Sequence, residues 1–256
     1  MKCILVIAGS DSSGGAGIQA DIKTAYRLKY HAMTIISALT AQNSLKVADI
    51  MPIPEEFISK QLHVVLEDIL PDAVKIGMLF STDAVKVVSD VLSKKKLSPV
   101  VLDPVIKAST GAMLLKQESI LLIKNRLFPL VDVITPNVSE AESLSGVRIK
   151  NLQDVEKSAL VLYKTGVKQV IITGFCSEDK IVDIGYDGKD FFYIEDKPLL
   201  SASHSHGSGC VYSTSLAIFL AEGYSLQHAA SLAHEFTMNA IRKGYPLGKG
   251  SGPVCP

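Results

Sequence analysis

Short runs of apolar residues recur along the chain and predict buried strands. The runs are Cys3–Ala8, Met33–Ala38, Ala73–Met78, Val100–Asp103, Val131–Thr135 and Gln169–Thr173. They are rich in Val and Ile, and they are continuously apolar rather than alternating. Strands that are covered on both faces show this pattern, and such strands are typical of a parallel sheet.

Longer segments with helical periodicity separate these runs. Ile18, Ile22, Ala25 and Tyr26 lie on one face of a predicted helix, and Pro54-Glu55-Glu56 begins another with acidic residues at its positive end. Further helices are predicted at about 82–94, 117–127, 138–145, 152–165, 209–222 and 226–242. Alternating strands and helices imply right-handed crossovers, so we expect an α/β fold with helices on both faces of the sheet.

One segment breaks the alternation and predicts a hairpin. The apolar runs Val182–Tyr186 and Phe191–Ile194 are separated by a segment that starts with Asp187-Gly188. Asp-Gly between two such runs is a strong hairpin signal, so an antiparallel edge is expected on the parallel sheet. The chain shows no repeat and no linker-like break, and we expect one domain over residues 1–256.

Composition narrows the classes of function. The 256 residues include 26 Lys+Arg and 26 Asp+Glu, and 47% are apolar. This balance excludes a disordered chain and argues against an unspecific nucleic-acid or membrane-surface binder, which needs a basic excess. The four cysteines are scattered and no run of about 18 apolar residues occurs, so we expect a reduced cytoplasmic protein without a membrane span.

A glycine-rich loop follows the first predicted strand. The segment from Ala8 to Gly17 carries four glycines and the polar cluster Ser10-Asp11-Ser12-Ser13 directly before a helix. Glycines permit close backbone approach to a ligand, although a flexible strand–helix turn explains them equally well. The segment lacks the Gly-Lys-Ser/Thr of a P-loop and the acidic residue of a dinucleotide fingerprint, which disfavours an NAD-binding oxidoreductase.

Acidic and amide side chains follow two later strands. Asp103 closes one strand, and Asn137 and Glu140 lie three residues apart just after another. Two carboxylates with an amide suit Mg²⁺, which keeps waters and phosphate oxygens among its ligands. The alternative is a helix N-cap at Asn137 with acids in the first turn.

A second glycine-containing turn opens the apolar helix near the C-terminus. His204-Ser205-His206-Gly207-Ser208-Gly209-Cys210 leaves amide groups at a helix start, which form an anion hole. The position of Cys210 predicts a thiol pKa below its usual value of about 8.5. The two histidines lack the paired spacing of zinc sites. A metal, an anion hole and an aligned hydroxyl together describe phosphoryl transfer.

The order of these motifs resembles the hydroxymethylpyrimidine/phosphomethylpyrimidine kinases of thiamine biosynthesis, in the ribokinase-like superfamily. The resemblance covers nearly the whole chain. It rests on the segments Ala8–Asp21, Thr40–Asn43, Lys75–Met78, Asp103–Val105, Thr135–Asn137 with Glu140–Glu142, His206–Cys210 and Gly250–Val254.

The resemblance implies a fold, a reaction and a set of partners. The fold would be a three-layer αβα sandwich. The reaction would transfer phosphate from ATP, with Mg²⁺, to the hydroxymethyl group of an aminopyrimidine, and often to its monophosphate. The partners would be this small-molecule substrate and a second copy of the chain in a homodimer, with no nucleic acid and no membrane.

The resemblance also implies roles for individual residues. Asp21 and Gln42 would hydrogen-bond the pyrimidine edge. The pocket would be lined by Gly9, Ala16, Met78 and Val105. Asp103 and Glu140 would act on Mg²⁺. The amides of Gly207, Ser208 and Gly209 would hold the transferring phosphoryl group. Cys210 would stand where sugar kinases of the superfamily carry their catalytic base, and Asn137 and Thr173 would contact the nucleotide.

Two departures from the family pattern concern lysines. Ile172-Thr173-Gly174-Phe175 stands where relatives usually carry Val-Lys-Gly-Gly, and Ser109 replaces another usual lysine. Lys107 is a candidate to reach the nucleotide from a shifted position. A pyridoxine/pyridoxal kinase shares the fold and the cysteine and stays an alternative. A non-catalytic pyrimidine sensor is the other alternative, which the missing lysines support.

Overall fold

Within the described residues, nine strands form one sheet. The computed structural model describes residues 1–108, 111–115, 117–177, 180–197 and 204–256, so Ser109 lies outside it. The strands are β1 (Cys3–Asp11), β2 (His31–Gln42), β3 (Val47–Pro52), β4 (Ala73–Ile76), β5 (Val100–Leu102), β6 (Val133–Ile134), β7 (Gln169–Ser177), β8 (Lys180–Tyr186) and β9 (Phe191–Asp196).

Helices connect most of the strands. They are α1 (Gly17–Arg27), α2 (Glu55–Asp68), α3 (Thr82–Lys94), α4 (Gln117–Leu122), α5 (Val138–Ser145), α6 (Leu152–Tyr163), α7 (Ser208–Ala221) and α8 (Leu226–Arg242). The helix predicted at 117–127 is α-helical only to Leu122 and continues as a π-helical turn, Ile123–Leu127. None of the helices in the described part of the chain is long and apolar enough to cross a membrane.

The strand order is β3-β2-β1-β4-β5-β6-β7-β8-β9. Neighbours from β2 to β7 are parallel, and β7, β8 and β9 pair antiparallel, which confirms the predicted hairpin. The sheet also has a second antiparallel edge that was not predicted, because β3 pairs antiparallel with β2 at the other edge. The sequence did not reveal β3 because this edge strand is largely exposed and has no continuous apolar run.

Two apolar layers cover the sheet and explain the continuous apolar runs. In β1, Leu5 and Ile7 pack with α2 and α3 on one face, while Ile4 and Val6 pack with α1, α7 and α8 on the other. The two faces therefore bury every residue of the run, as parallel strands between helical layers require. The chain forms the expected αβα sandwich.

The chain reverses its direction of winding at β1, which lies between β2 and β4. In open α/β sheets, ligands bind beyond the carboxyl ends of the strands at such a reversal point. The fold therefore directs attention to the loops that follow β1, β4, β5, β6 and β7.

A buried ion pair joins the sheet to two of the helices. Lys75 of β4 and Asp21 of α1 are both fully buried, and Lys75 Nζ lies 2.9 Å from Asp21 Oδ1. The hydroxyl of Thr214 on α7 donates to the same Oδ1 over 2.7 Å. Burial opposes the charge of Lys75, but the Asp21 carboxylate outweighs it and raises the lysine pKa.

We predict that Lys75→Met destabilises the fold strongly. It leaves the Asp21 carboxylate in the interior without its cation, a defect that typically lowers the free energy of unfolding by about 3–5 kcal/mol. Chemical denaturation measures the change. Lys86→Met is the matched control, because Lys86 pairs with Asp83 on the exposed surface of α3 and its loss should leave stability nearly unchanged. Equal stability of the two variants would contradict the prediction.

Candidate active site

A cavity of about 420 Å³ opens at the carboxyl ends of the parallel strands. The loops after β1, β4, β5 and β6, the middle of β7 and the start of α7 all contribute to it. All but one of the predicted site residues line it. They are Gly9, Ala16, Gln42, Met78, Asp103, Val105, Lys107, Asn137, Glu140, Thr173, Gly207, Ser208, Gly209 and Cys210.

Asp21 is the predicted site residue that does not line the cavity. The expectation that it meets the substrate is not supported, because its side chain is fully buried and bound to Lys75 and Thr214. The sequence placed it near the turn at the start of α1. Only the packed structure shows that this side of α1 faces the sheet and α7.

Backbone contacts between glycines join the two loops that begin α1 and α7. Gly207 has φ 88°, and a side chain there would collide with the carbonyl of Gly15. A side chain at Gly15 would in turn collide with the imidazole of His206. The two glycine-rich segments therefore form one continuous wall of the cavity.

Asp11 organises this wall, a role that sequence reasoning missed. Its Oδ2 accepts the amides of Gly15 and Ala16 at 3.1 and 2.9 Å and lies 2.9 Å from His206 Nε2. Its Oδ1 accepts the amide of Ser13 at 2.8 Å. Burial works against the charge, but these hydrogen bonds, led by that of His206, lower the Asp11 pKa to about 2. The sequence could have revealed the turn, because an acidic residue before Ser-Ser-Gly favours one. It could not have revealed the partner His206, which lies in a distant segment.

Gln42 lies beside this pair at the cavity. Its Nε2 is 3.3 Å from His206 Nε2, and its backbone amide donates to the Ser12 hydroxyl at 2.8 Å. Nearby, a side chain at Gly9 would come within 2.9 Å of Met78 Sδ. The absence of a side chain at Gly9 therefore lets Met78 pack directly against the backbone. Together with Ala16 and Val105 these residues line an apolar slot of the cavity, and the Gln42 carboxamide lies in the same cavity.

Two buried carboxyl groups face the cavity opposite this slot. Glu140 Oε2 accepts the amide of Asn137 at 3.0 Å, and Asn137 Oδ1 accepts the amide of Glu140 at 3.0 Å. The N-cap alternative is therefore confirmed, and the capping residues also line the cavity. Burial, reinforced by Asp103, raises the Glu140 pKa to about 8, and burial likewise raises the Asp103 pKa.

The start of α7 lies beside Asp103 and lines the same cavity as Glu140. A Cβ at Gly209 would lie 3.8 Å from Asp103 Oδ2, and the Ser213 hydroxyl donates to that oxygen over 3.1 Å. The amides of Gly209 and Cys210 have no acceptor within the helix, because they belong to its first turn. The Ser208 amide was expected to hold the phosphoryl group, but it already donates a hydrogen bond to the carbonyl of Ser205 at 3.1 Å.

The expectation of a lowered Cys210 pKa was wrong. Burial raises the thiol pKa to about 12; Lys75 opposes this shift, while Asp21 and Asp103 add to it. Desolvation and two carboxylates outweigh the helix start, so the thiol is protonated at neutral pH.

The far end of the cavity is lined by Thr173, Asn137 and Lys107. The amide of Thr173 donates to the carbonyl of Pro136 at 3.0 Å, which ties the middle of β7 to the turn before α5. Lys107 is exposed. The cavity thus has an apolar slot at one end, an anion-binding helix start beside two carboxyl groups, and a polar opposite end.

Comparisons with known proteins agree on one family. A family model described as phosphomethylpyrimidine kinase matches residues 11–255. The hydroxymethylpyrimidine/phosphomethylpyrimidine kinase of Bacillus subtilis is 41% identical over 252 residues, which cover 98% of this chain and 93% of that protein.

Solved structures show the same fold. An ADP complex of Bacillus subtilis pyridoxal kinase has a TM-score of 0.91 and 34% identity, covering 100% of this chain and 97% of that one. A phosphomethylpyrimidine kinase from Clostridium difficile 630 has a TM-score of 0.83 and 35% identity, covering 94% of this chain and 100% of that one.

We predict that Asp11→Asn reduces stability in a pH-dependent way. A carboxyl group whose pKa falls from 3.8 to about 2 on folding contributes roughly 2 kcal/mol above pH ~4, and this contribution is lost as the pH falls through ~2. The difference in unfolding free energy between wild type and variant should therefore shrink from pH 6 to pH 2 in urea titrations. Asp190→Asn, on the exposed β8–β9 turn, is the control. A difference that stays constant with pH would contradict the prediction.

Proposed function

Because the chain belongs to the phosphomethylpyrimidine kinase family, we propose that it phosphorylates 4-amino-5-hydroxymethyl-2-methylpyrimidine on its hydroxymethyl group. ATP is the donor, the monophosphate of the pyrimidine is a second acceptor, and the pathway is thiamine biosynthesis.

One observation carries this proposal: the first turn of α7 and two buried carboxyl groups line a single cavity. Phosphoryl transfer depends mainly on positioning and on neutralising charge. The unused amides at Gly209 and Cys210 suit the oxygens of the transferring group. The apolar slot beside them suits a flat heteroaromatic acceptor.

The acceptor ring lies against the apolar slot lined by Gly9, Ala16, Met78 and Val105. Gln42 reads the ring edge, since its carboxamide offers both a donor and an acceptor. The nucleotide lies at the opposite end, against Asn137, Thr173 and Lys107, where Lys107 takes the place of the missing family lysines. The ADP complex of the related pyridoxal kinase supports a nucleotide in this fold.

The pair Asp103 and Glu140 fits a magnesium site. Both carboxyl groups are buried, and Asp103 adds to the raised pKa of Glu140, which is the repulsion that a divalent cation would relieve. Across the described residues, no cluster of three or more His, Cys, Asp or Glu side chains is arranged to hold a metal. Mg²⁺ is suited to such a sparse set, because it keeps waters and phosphate oxygens as ligands. When bound, it would neutralise phosphate charge.

Cys210 contacts the acceptor hydroxyl. Its thiol is protonated at neutral pH, and in a loose transition state the attacking hydroxyl needs little prior deprotonation. We therefore assign Cys210 to orienting the hydroxyl for in-line attack rather than to withdrawing its proton in advance.

A pyridoxine/pyridoxal kinase is the second candidate. The pyridoxal kinase of Bacillus subtilis superposes with a TM-score of 0.91, and its substrate is also a flat hydroxymethyl heteroaromatic ring. The 41% identity to a pyrimidine kinase and the presence of Gln42 at the slot favour the pyrimidine. Asp103 and Glu140 at the cavity argue against the non-catalytic sensor.

We also infer that the chain acts in the cytoplasm as a homodimer. The family resemblance supports both statements. The exposed apolar side chains of Leu45 and Met51, at the edge of the sheet around β3, are consistent with an interface.

Turnover with a panel of acceptors tests the function. Purified protein with Mg-ATP should release ADP with hydroxymethylpyrimidine and its monophosphate, more slowly with pyridoxine, and not with ribose. Asp103→Asn, prepared identically, controls for contaminating kinases. Turnover with pyridoxine and with no other acceptor of the panel would overturn the assignment. Binding of the pyrimidine without turnover would favour a sensor.

Substitution of Cys210 distinguishes orientation from base catalysis. Cys210→Ala should lower kcat on the order of 10²-fold, because the hydroxyl loses its partner. Cys210→Ser should retain kcat within about tenfold of wild type, since a hydroxyl still hydrogen-bonds but cannot ionise near neutral pH. Equal losses in both variants would instead show that thiolate formation is required.

A further inference from the structure

A bulge in β7 lies beside the nucleotide end of the cavity. Ile172 pairs with Ile184 and Phe175 pairs with Val182, so Thr173 and Gly174 together oppose the single residue Asp183. Gly174 has φ 73°, the left-handed conformation expected of glycine in a bulge. A bulge changes the direction in which neighbouring side chains point, and this one places Thr173 at the cavity.

The side chain of Asp183 holds the bulge from within. The amide of Gly174, which the bulge withdraws from the ladder of β8, donates to Asp183 Oδ1 at 2.8 Å. Asp183 is only 4% exposed. A buried carboxylate that replaces a strand partner fixes the conformation of the turn, because it accepts the amide that the bulge removes from the ladder.

His234 of α8 fixes the second oxygen of this carboxylate. Nδ1 of His234 donates to Asp183 Oδ2 at 2.7 Å, and the imidazole is 7% exposed. Nε2 has no hydrogen-bond partner among the described residues and lies 3.8 Å from Asp196 Oδ2. Asp196 in turn binds Arg242 at 3.2 Å. This polar chain runs from α8 to the cavity wall without entering the cavity.

We propose that Asp183, oriented by His234, is a positioning residue for the nucleotide: it holds the Gly174 turn and thereby fixes Thr173 and the end of the cavity where the phosphates lie. The inference rests on the proposed function in one respect, the assignment of the Thr173 end to ATP. The usual family lysine is replaced here by Thr173, whose short side chain reaches only what lies beside it. The position of the Thr173 backbone therefore affects contact with the nucleotide more than it would for a long lysine side chain.

Nucleotide binding and steady-state kinetics test the proposal. Asp183→Ala and His234→Leu should each raise the KM and the Kd for Mg-ATP about tenfold, because the Gly174 turn loses the contact that positions Thr173 against the nucleotide. The KM for the pyrimidine should change by less than about twofold, because the apolar slot lies at the other end. His234→Asn should restore much of the ATP affinity, since its side-chain amide can donate from the position of Nδ1.

Matched variants separate positioning from stability. Ile184→Val removes one buried methylene group from the same strand and lowers the melting temperature, while the side chains of Asp183 and His234 stay in place. It should leave the KM for ATP unchanged. If the His234 and Asp183 variants lose stability to the same extent and keep the wild-type KM and Kd for ATP, the proposal is wrong.

The same measurements keep the two proposals apart. Absence of turnover with every acceptor would count against the proposed function alone, because the Kd for Mg-ATP needs no acceptor and still decides the role of Asp183. Should Asp183→Ala not fold, the His234→Leu and His234→Asn pair decides. Failure of the wild type to bind ATP would overturn both.

Discussion

The buried ion pair between Lys75 and Asp21 is the interaction on which the site depends. It joins β4 to α1, and the hydroxyl of Thr214 adds α7. Met78 of the slot follows β4, the glycine-rich loop leads into α1, and α7 begins at the cavity. Removing two charges from water is unfavourable, and their attraction compensates only when the geometry is good. The pair therefore favours one relative placement of α1, β4 and α7.

The electrostatic character of the site comes from the groups that line the cavity and not from the net charge of the chain. The chain has no net charge, yet the cavity brings together the carboxyl groups of Asp11, Asp103 and Glu140, one protonated thiol and the positive end of a helix. Burial raises the pKa of Asp103, and burial together with the nearby Asp103 raises the pKa of Glu140 to about 8. In the proposed function, such a site would take a cation and a polyanion together.

Burial and the hydrogen bonds that each group receives, rather than position along a helix, decide the ionisation of two cavity residues. Cys210 occupies a helix start that would lower its pKa in water, but desolvation and nearby carboxylates raise it. Asp11 is also buried, yet several donors converge on it and its pKa falls. The difference lies in the number of hydrogen-bond donors that each group receives.

The sequence by itself indicated the layered fold, the hairpin and an N-cap at Asn137, because each depends on local periodicity or on short spacing. The family motifs in the sequence predicted the named site residues, all but one of which line the cavity. Tertiary structure alone decided the edge strand β3, the burial of Asp21, the pairing of Asp11 with His206 and the bulge held by Asp183 and His234. Each of these joins segments distant in the chain, such as Asp11 and His206, 195 residues apart. No periodicity in the sequence encodes such a contact. The direction of each pKa shift depends on burial and hydrogen bonding, and only the packed structure sets these.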